Sequence, residues 1–247
     1  MIDINVIASG SSGNCTLVTT SAGEKILFDV GIAYKKFAEI TGYVDYAIIT
    51  HEHTDHAHLP AIKKLLENGT DVYMTKGTRD ALELEKRHNL HTFTANLEMP
   101  SLRLGSCKLK ALGAMHDAAE PIVFQIYDDD DRVFYSTDTR HPTNWCGEDN
   151  VFTKVLIEAN FSEPVLLASD IDKWRKERVF NNHTSIERVI GHFEHQKKYV
   201  GTRFDELYKL KEIHLIHVSK DNGNAEIFKA ALEAVMDVPI LFQNRKR

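Results

Sequence analysis

The sequence predicts a layered α/β protein, sheet covered by helices. Three observations predict it. Short apolar runs punctuated by Gly and Ser fill the first half of the 247 residues. In the second half, such runs alternate with stretches of helical spacing. A chain of this length, 43% hydrophobic and 27% charged, can bury a real core.

"INVIAS" alternates in polarity, and "CTLVTT" and "KILFDV" follow it, so three strands are expected at the start. "YAIIT" reads as a buried strand. "LPAIKKLLENG" then places apolar residues at helical spacing and ends on Gly69. "DVYMT", "CKLKAL" and "IVFQIY" are further strands. "DDDD", Asp128 to Asp131, joins "IVFQIY" to "RVFYSTD" as a solvated hairpin turn, since the spacing and glycine of an EF-hand are absent. Beyond it, "KVLIEA", "IHLIHV" and "PILF" read as strands. "TSIERVIGHFEHQKKY" and "AEIFKAALEAVM" read as helices, the first opened by a capping box of Thr184 and Glu187. No repeat or low-complexity linker is evident, and one domain over residues 1–247 is expected.

Cys15, Cys107 and Cys146 are scattered and include no C-x-x-C, which predicts reduced thiols and a cytoplasmic location. "MIDINVIASG" lacks the basic and apolar regions of a signal peptide. No apolar run approaches the roughly 18 residues of a membrane span. The formal net charge of −6 weighs against a surface built for long nucleic acid.

The chemistry concentrates in "IITHEHTDHAHL", Ile48 to Leu59, where His51, His53, Asp55 and His56 form H-x-H-x-D-H between a strand end and a helix start. Imidazole and carboxylate are ligands that Zn²⁺, Mn²⁺ and Fe²⁺ accept. One such run can supply two ligands to each of two adjacent metals. His58 is expected one turn into the helix, outside the pattern. Further ligands should come from other strand ends, and His116 after "KLKALGAM", Asp138 after "VFYST" and His217 after "IHLI" stand there. An aspartate can bridge two cations at roughly 3.5–4 Å.

These motifs, in this order, resemble those of the metallo-β-lactamase-fold hydrolases, as does the opening "ASGSSGNC". The resemblance spans about residues 2 to 243. It implies an αββα four-layer sandwich with metals at one sheet edge. By the same resemblance His51, His53 and His116 hold one metal, Asp55, His56 and His217 the other, and Asp138 bridges. The cofactors implied are two divalent transition metals, Zn²⁺ first and Mn²⁺ as the alternative.

His183, in "NNHTS", precedes Thr184 at the mouth of a helix, a place that favours anions. It resembles the H-x-S or H-x-T element of phosphodiesterase members such as tRNase Z, where a histidine stabilises charge or protonates the leaving oxygen; the other reading is a surface histidine beside a cap. Glu158 in "LIEAN" either hydrogen-bonds to such a histidine or is only a strand-end carboxylate. Asp55 is the candidate that orients the attacking water or takes its proton. Within "GSSGN", Ser11, Ser12 and Asn14 either supply turn geometry or contact a substrate phosphate. His88, His91, His141, His192, His195 and His214 read as surface or core residues.

The function implied is hydrolysis of a nucleotide phosphodiester. The first expectation is a small cyclic nucleotide. The acidic chain has no long tRNase Z arm and resembles compact bacterial and phage members, among them phage enzymes that destroy cyclic nucleotide signals. The second is a DNA or RNA exonuclease, because another compact bacterial branch shares the "GSSGN" opening and the "HDA" motif. "KWRKERVF", Lys173 to Phe180, interleaves basic and aromatic residues beside His183 and reads as a nucleic-acid grip, a nucleotide flap or a solvated helix face. The third is a non-catalytic, metal-stabilised binding module. No membrane partner is expected; a second copy of the chain, in a homodimer, is.

Overall fold

The structure, a computed structural model, describes residues 1–95, 102–142, 152–200 and 210–242. Cys146 lies outside the described residues; Cys15 and Cys107 are free and buried. The chain divides into two compact units, Met1–Gly113 with Asp117–Asp130, and Ala114–His116 with Asp131–Arg247.

The first unit contains a six-stranded sheet in the order β1 (Asp3–Ala8), β2 (Cys15–Thr19), β3 (Lys25–Phe28), β4 (Tyr46–Ile48), β5 (Asp71–Thr75), β6 (Leu90–Phe93). β1, β2 and β3 pair antiparallel, and β3 to β6 pair parallel. The parallel pairs need crossovers, which carry helices α1 (Lys35–Thr41), α2 (Leu59–Glu67) and α3 (Lys76–Ala81). α2 buries Ala61, Ile62, Leu65 and Leu66 against Leu27, Ala47, Val72 and Met74 of the sheet. Each large side chain buried this way contributes about 1.5–3 kcal/mol. The opposite face carries Phe28, whose ring meets Phe124 edge-on at 4.9 Å. Phe124 belongs to the antiparallel set β7 (Leu102–Leu104), β8 (Cys107–Gly113) and β9 (Ile122–Tyr127).

The second unit holds four parallel strands, β10 (Arg132–Ser136), β11 (Lys154–Glu158), β12 (Glu212–Ile216) and β13 (Ile240–Phe242). β11 is buried at every position, as expected of a strand covered on both faces. The helices are α4 (Glu163–Ala168), α5 (Lys173–Asn182), α6 (Ile186–Val200) and α7 (Ala225–Glu233). The expected strands and the longer helices are all present.

Three local expectations are corrected. Asp131 is not part of a solvated turn: it is 1% exposed and pairs with Lys211 Nζ at 2.6 Å. Thr184 does not cap α6, because its hydroxyl donates to Thr139 O. Ser185 caps instead, accepting from Arg188 N at 3.2 Å, while Glu187 accepts from Ser162 Oγ and Glu163 N at the start of α4. His58 is the N-cap of α2, its Nδ1 accepting from Ala61 N, rather than a residue one turn inside.

Candidate metal centre

In the first unit the histidine loop is fixed by its backbone. Asp55 O accepts from Asn14 N at 2.7 Å, Asn14 O accepts from Gly31 N at 2.7 Å, and His56 O accepts from Val30 N at 2.8 Å. Three segments therefore meet main chain to main chain. A Cβ on Gly31 would stand 1.7 Å from Asp55 O, and Gly13, at φ 135°, would meet Ile32 Cγ2 at 2.4 Å. Only glycine permits this approach, which explains Gly13 of "GSSGN" and Gly31 of "DVG".

The side chains then sort by tautomer. Asp29, fully buried at φ 57°, accepts from Thr50 N at 2.8 Å and Thr50 Oγ1 at 2.9 Å through Oδ1, and its Oδ2 lies 2.8 Å from His56 Nδ1. A carboxylate can only accept, so His56 carries its proton on Nδ1. The Thr50 hydroxyl gives its proton to Asp29, so His51 Nδ1, 3.0 Å away, must donate to it. Both rings thus keep the Nε2 lone pair. The His51 ring lies 4.8 Å from that of His53 and 4.3 Å from that of His56. Asp29 and Thr50 were not anticipated from sequence; the available signal was an acid directly after a strand.

Asn14 is 3% exposed. Its Oδ1 accepts from Gly10 N at 2.8 Å, and its Nδ2 donates to Asp55 O at 3.1 Å and lies 2.9 Å from His56 Nε2. Ser11 and Ser12 are exposed on the same turn.

In the second unit, Glu158 ends β11, Asp138 lies two residues past β10 and His217 one past β12. Strand C-termini are where α/β proteins build their sites. Asp138 (φ 44°) and His217 (φ 52°) hold left-handed backbone, a strain of order ~1–3 kcal/mol that accumulates at functional positions. Glu158 Oε1 lies 2.7 Å from His183 Nδ1 and 2.9 Å from His217 Nδ1; Asp138 Oδ1 lies 3.0 and 3.1 Å from the same two atoms. One ligand atom from each of Asp138, Glu158, His183 and His217 falls within 4.8 Å of the others. Glu158 Oε2 also accepts from Thr184 N at 3.1 Å, which settles its role as a buried hub rather than a plain strand-end acid. His116 Nδ1 is 3.1 Å from the carbonyl of Asn182, and Asn160 Nδ2 donates to His217 O at 2.9 Å. Facing a carbonyl and carboxylates, His116 and His217 also hold the proton on Nδ1 and the lone pair on Nε2.

His183 is the C-cap of α5 and stands two residues before the cap of α6. Its position therefore rests on Glu158 and Asp138, not on a helix N-terminus. Burial opposes its charge, but the Glu158 and Asp138 carboxylates outweigh that and push its pKa up to about 10. Burial likewise opposes ionisation of Glu158, yet His183 and His217 hold its pKa below the usual carboxylate value. Of the other histidines, His91 pairs with Asp71 at 2.6 Å, and buried His214 lies 3.2 Å from Glu212, which also accepts from Lys154. Both have the structural roles expected.

Imidazoles with Nδ1–H held by hydroxyl, carbonyl or carboxylate and the lone pair on Nε2 are the arrangement that metal-binding histidines adopt. The residues present fit borderline divalent ions. Strands and helices in this order, with such residues at strand ends, define a metal-dependent hydrolase. The chain belongs to the β-lactamase superfamily: the family described as Beta-lactamase superfamily domain matches residues 26–197. It is 29% identical over 239 residues to exodeoxyribonuclease WalJ of Streptococcus pneumoniae, covering 90% of this chain and 84% of that protein. Among solved structures it resembles the metallo-β-lactamase-fold protein YhfI of Bacillus subtilis, with a TM-score of 0.73, 16% identity and coverage of 98% and 96%. It also resembles a diphosphatase of the PhnP family, with a TM-score of 0.63, 15% identity and coverage of 99% and 96%. The fold is the metallo-β-lactamase fold, and its His and Asp clusters suit a dinuclear divalent metal site. Among the described residues no helix is long and apolar enough to cross a membrane.

Proposed function

We propose that this protein is a dinuclear phosphodiesterase acting on nucleotide strands, as one metallo-β-lactamase-fold domain over residues 1–247. The motif order supports His51, His53 and His116 as ligands of one ion, Asp55, His56 and His217 of the second, and Asp138 as the bridge. The nitrogen-rich donor set favours Zn²⁺, with Mn²⁺ as the alternative. Bound, such a pair supplies Lewis acidity that makes a water nucleophilic near neutral pH and charge for the phosphoryl oxygens. Asp55 orients that water and accepts its proton. His183 donates from Nε2 to the departing oxygen, while Glu158 holds Nδ1. The Glu158–His183 pair carries this reading, because a histidine outside the ligand set, kept protonated by a buried carboxylate, suits an alkoxide leaving group. Buried, free Cys15 and Cys107 support a reducing, cytoplasmic setting.

For the substrate, α5 favours a DNA strand over the small cyclic nucleotide that net charge suggested. It ends at His183, and Trp174 on it is 67% exposed beside the exposed Lys173 and Arg175. The ion pairs of these two cations with Glu177 and Asp172 are exposed and weak, so phosphates can compete for them. Bases stack on such an aromatic. The name of the WalJ relative agrees with this order. The small cyclic nucleotide remains the second reading, favoured by the net charge of −6. Metal-replete protein is assayed on single-stranded DNA, RNA, cyclic mononucleotides and cyclic dinucleotides. Stepwise DNA degradation that weakens steeply with salt is expected; turnover of cyclic nucleotides alone would reverse the order.

A further inference from the structure

Arg140 stands two residues beyond Asp138, in a loop tied down on both sides. Its N–H donates to Met115 O at 3.0 Å, next to His116. Its carbonyl accepts from Arg188 Nη1 at 3.0 Å, and the same nitrogen donates to Phe180 O and His183 O. The two arginines are not equivalent. Arg188 has those carbonyls and the Glu163 carboxylate, 3.2 Å from its Nε. Arg140 Nε is buried and has no hydrogen-bond partner among the described residues, and no carboxylate there pairs with it. A guanidinium nitrogen withdrawn from water without an acceptor is costly. Burial first, then the charges of Arg188 and Arg140, hold His141 below its ordinary pKa, so both guanidinium groups act on this loop. An acidic chain that sets a guanidinium with a buried, unpartnered Nε two residues beyond Asp138 has a place for an anion.

We propose that Arg140 is a phosphate-reading residue, whose guanidinium takes the phosphate flanking the scissile phosphodiester of a nucleotide strand. The inference rests on the phosphodiesterase reading above. The scissile phosphate already has its charge partners in the proposed metal ions and His183, so the additional cation answers to the next phosphate along. A planar fork that can grip two oxygens at once suits that task better than an ammonium.

The test compares wild type, Arg140→Gln and Arg140→Lys, all metal-replete, on a single-stranded DNA oligonucleotide and on bis(p-nitrophenyl) phosphate, which has no flanking phosphate. Arg140→Gln should raise KM for the oligonucleotide roughly 10- to 100-fold, the worth of a charge-assisted hydrogen bond, with kcat and the thermal midpoint little changed. On bis(p-nitrophenyl) phosphate kcat/KM should shift less than about threefold, and Arg140→Lys should recover part of the oligonucleotide affinity. A parallel arm measures fluorescence anisotropy of a labelled phosphorothioate oligonucleotide on chelator-treated protein, where the same loss of affinity is expected. Equal losses on both substrates, or unchanged oligonucleotide affinity in Arg140→Gln, would overturn the role. If wild type turned over neither substrate, the phosphodiesterase reading would fall, while the anisotropy arm would still decide whether Arg140 binds phosphate.

Discussion

Glu158 places its buried Oε1 2.7 Å from His183 Nδ1, which leaves Nε2 as the nitrogen of that ring able to give up a proton outside the cluster. His183→Ala should therefore lower kcat on DNA by roughly 10²–10⁴-fold, the usual range for a lost general acid. Bis(p-nitrophenyl) phosphate, whose leaving group is already a weak base, should suffer far less. Glu158→Gln should show the same substrate-dependent pattern in milder form. Equal impairment on both substrates would point to charge stabilisation instead of proton donation.

The same pair sets a pH dependence in chelator-treated protein. The folded-state pKa of His183, near 10, lies above its unfolded value of about 6.5. The folded chain then holds a proton that the unfolded chain releases, so this stabilisation is fully present below about 6.5 and is lost as pH rises through about 10. The thermal midpoint of wild type should fall across that window, and that of His183→Gln should fall less. Parallel curves would show that the pair contributes nothing to stability.

Asp29 fixes the tautomer of His56, so Asp29→Asn should weaken metal affinity by roughly 10- to 100-fold without unfolding the chain. Competition against a chromophoric chelator measures this. Asp138→Asn keeps a residue that tolerates the left-handed backbone and should reduce the metal content below two ions per chain and abolish turnover. Two tightly bound ions in Asp138→Asn would mean that the bridge assignment is wrong, and unchanged affinity in Asp29→Asn that the Asp29–His56 contact does not tune the site.

Gly31→Ala forces a methyl into the Asp55 carbonyl, and the chain must move there. A loss of about 1–3 kcal/mol or more is expected from such overpacking, together with reduced metal content. Gly113→Ala, where a Cβ meets nothing within 4 Å, is the control. Chemical denaturation compares them, and similar losses in both would refute the close approach as the reason for the glycine.

The histidine run stood out in the sequence because its candidate ligands are neighbours in the chain, and the candidates His116, Asp138 and His217 because each follows a recognisable strand. Asp29 was not. Its role depends on β3 pairing with β4, which sets Asp29 N against Ile48 O at 2.9 Å and so beside Thr50; no spacing within "FDVG" reveals that. Glu158 was left open for the same reason, since its partners lie 25 and 59 residues away. The cap of α6 was misplaced by one residue because Thr184 and Ser185 are both capping types, and a distant carbonyl, Thr139 O, claims the first. Helices α1, α3 and α4, of 7, 6 and 6 residues, are too short to show a period, and β6 and β7 too short to show alternation.

The left-handed backbone at Asp29, Asp138 and His217 limits how this centre could be re-engineered. Asn, Asp, His and Gly tolerate that conformation with least penalty. A library that varied these positions to change metal preference would thus impose on most of its members a backbone cost in stability before any question of coordination arose. Cysteine or glutamate introduced there would first have to overcome roughly 1–2 kcal/mol of backbone resistance. His51, His53 and His56, which show no such conformation, are the positions where ligand exchange can be explored.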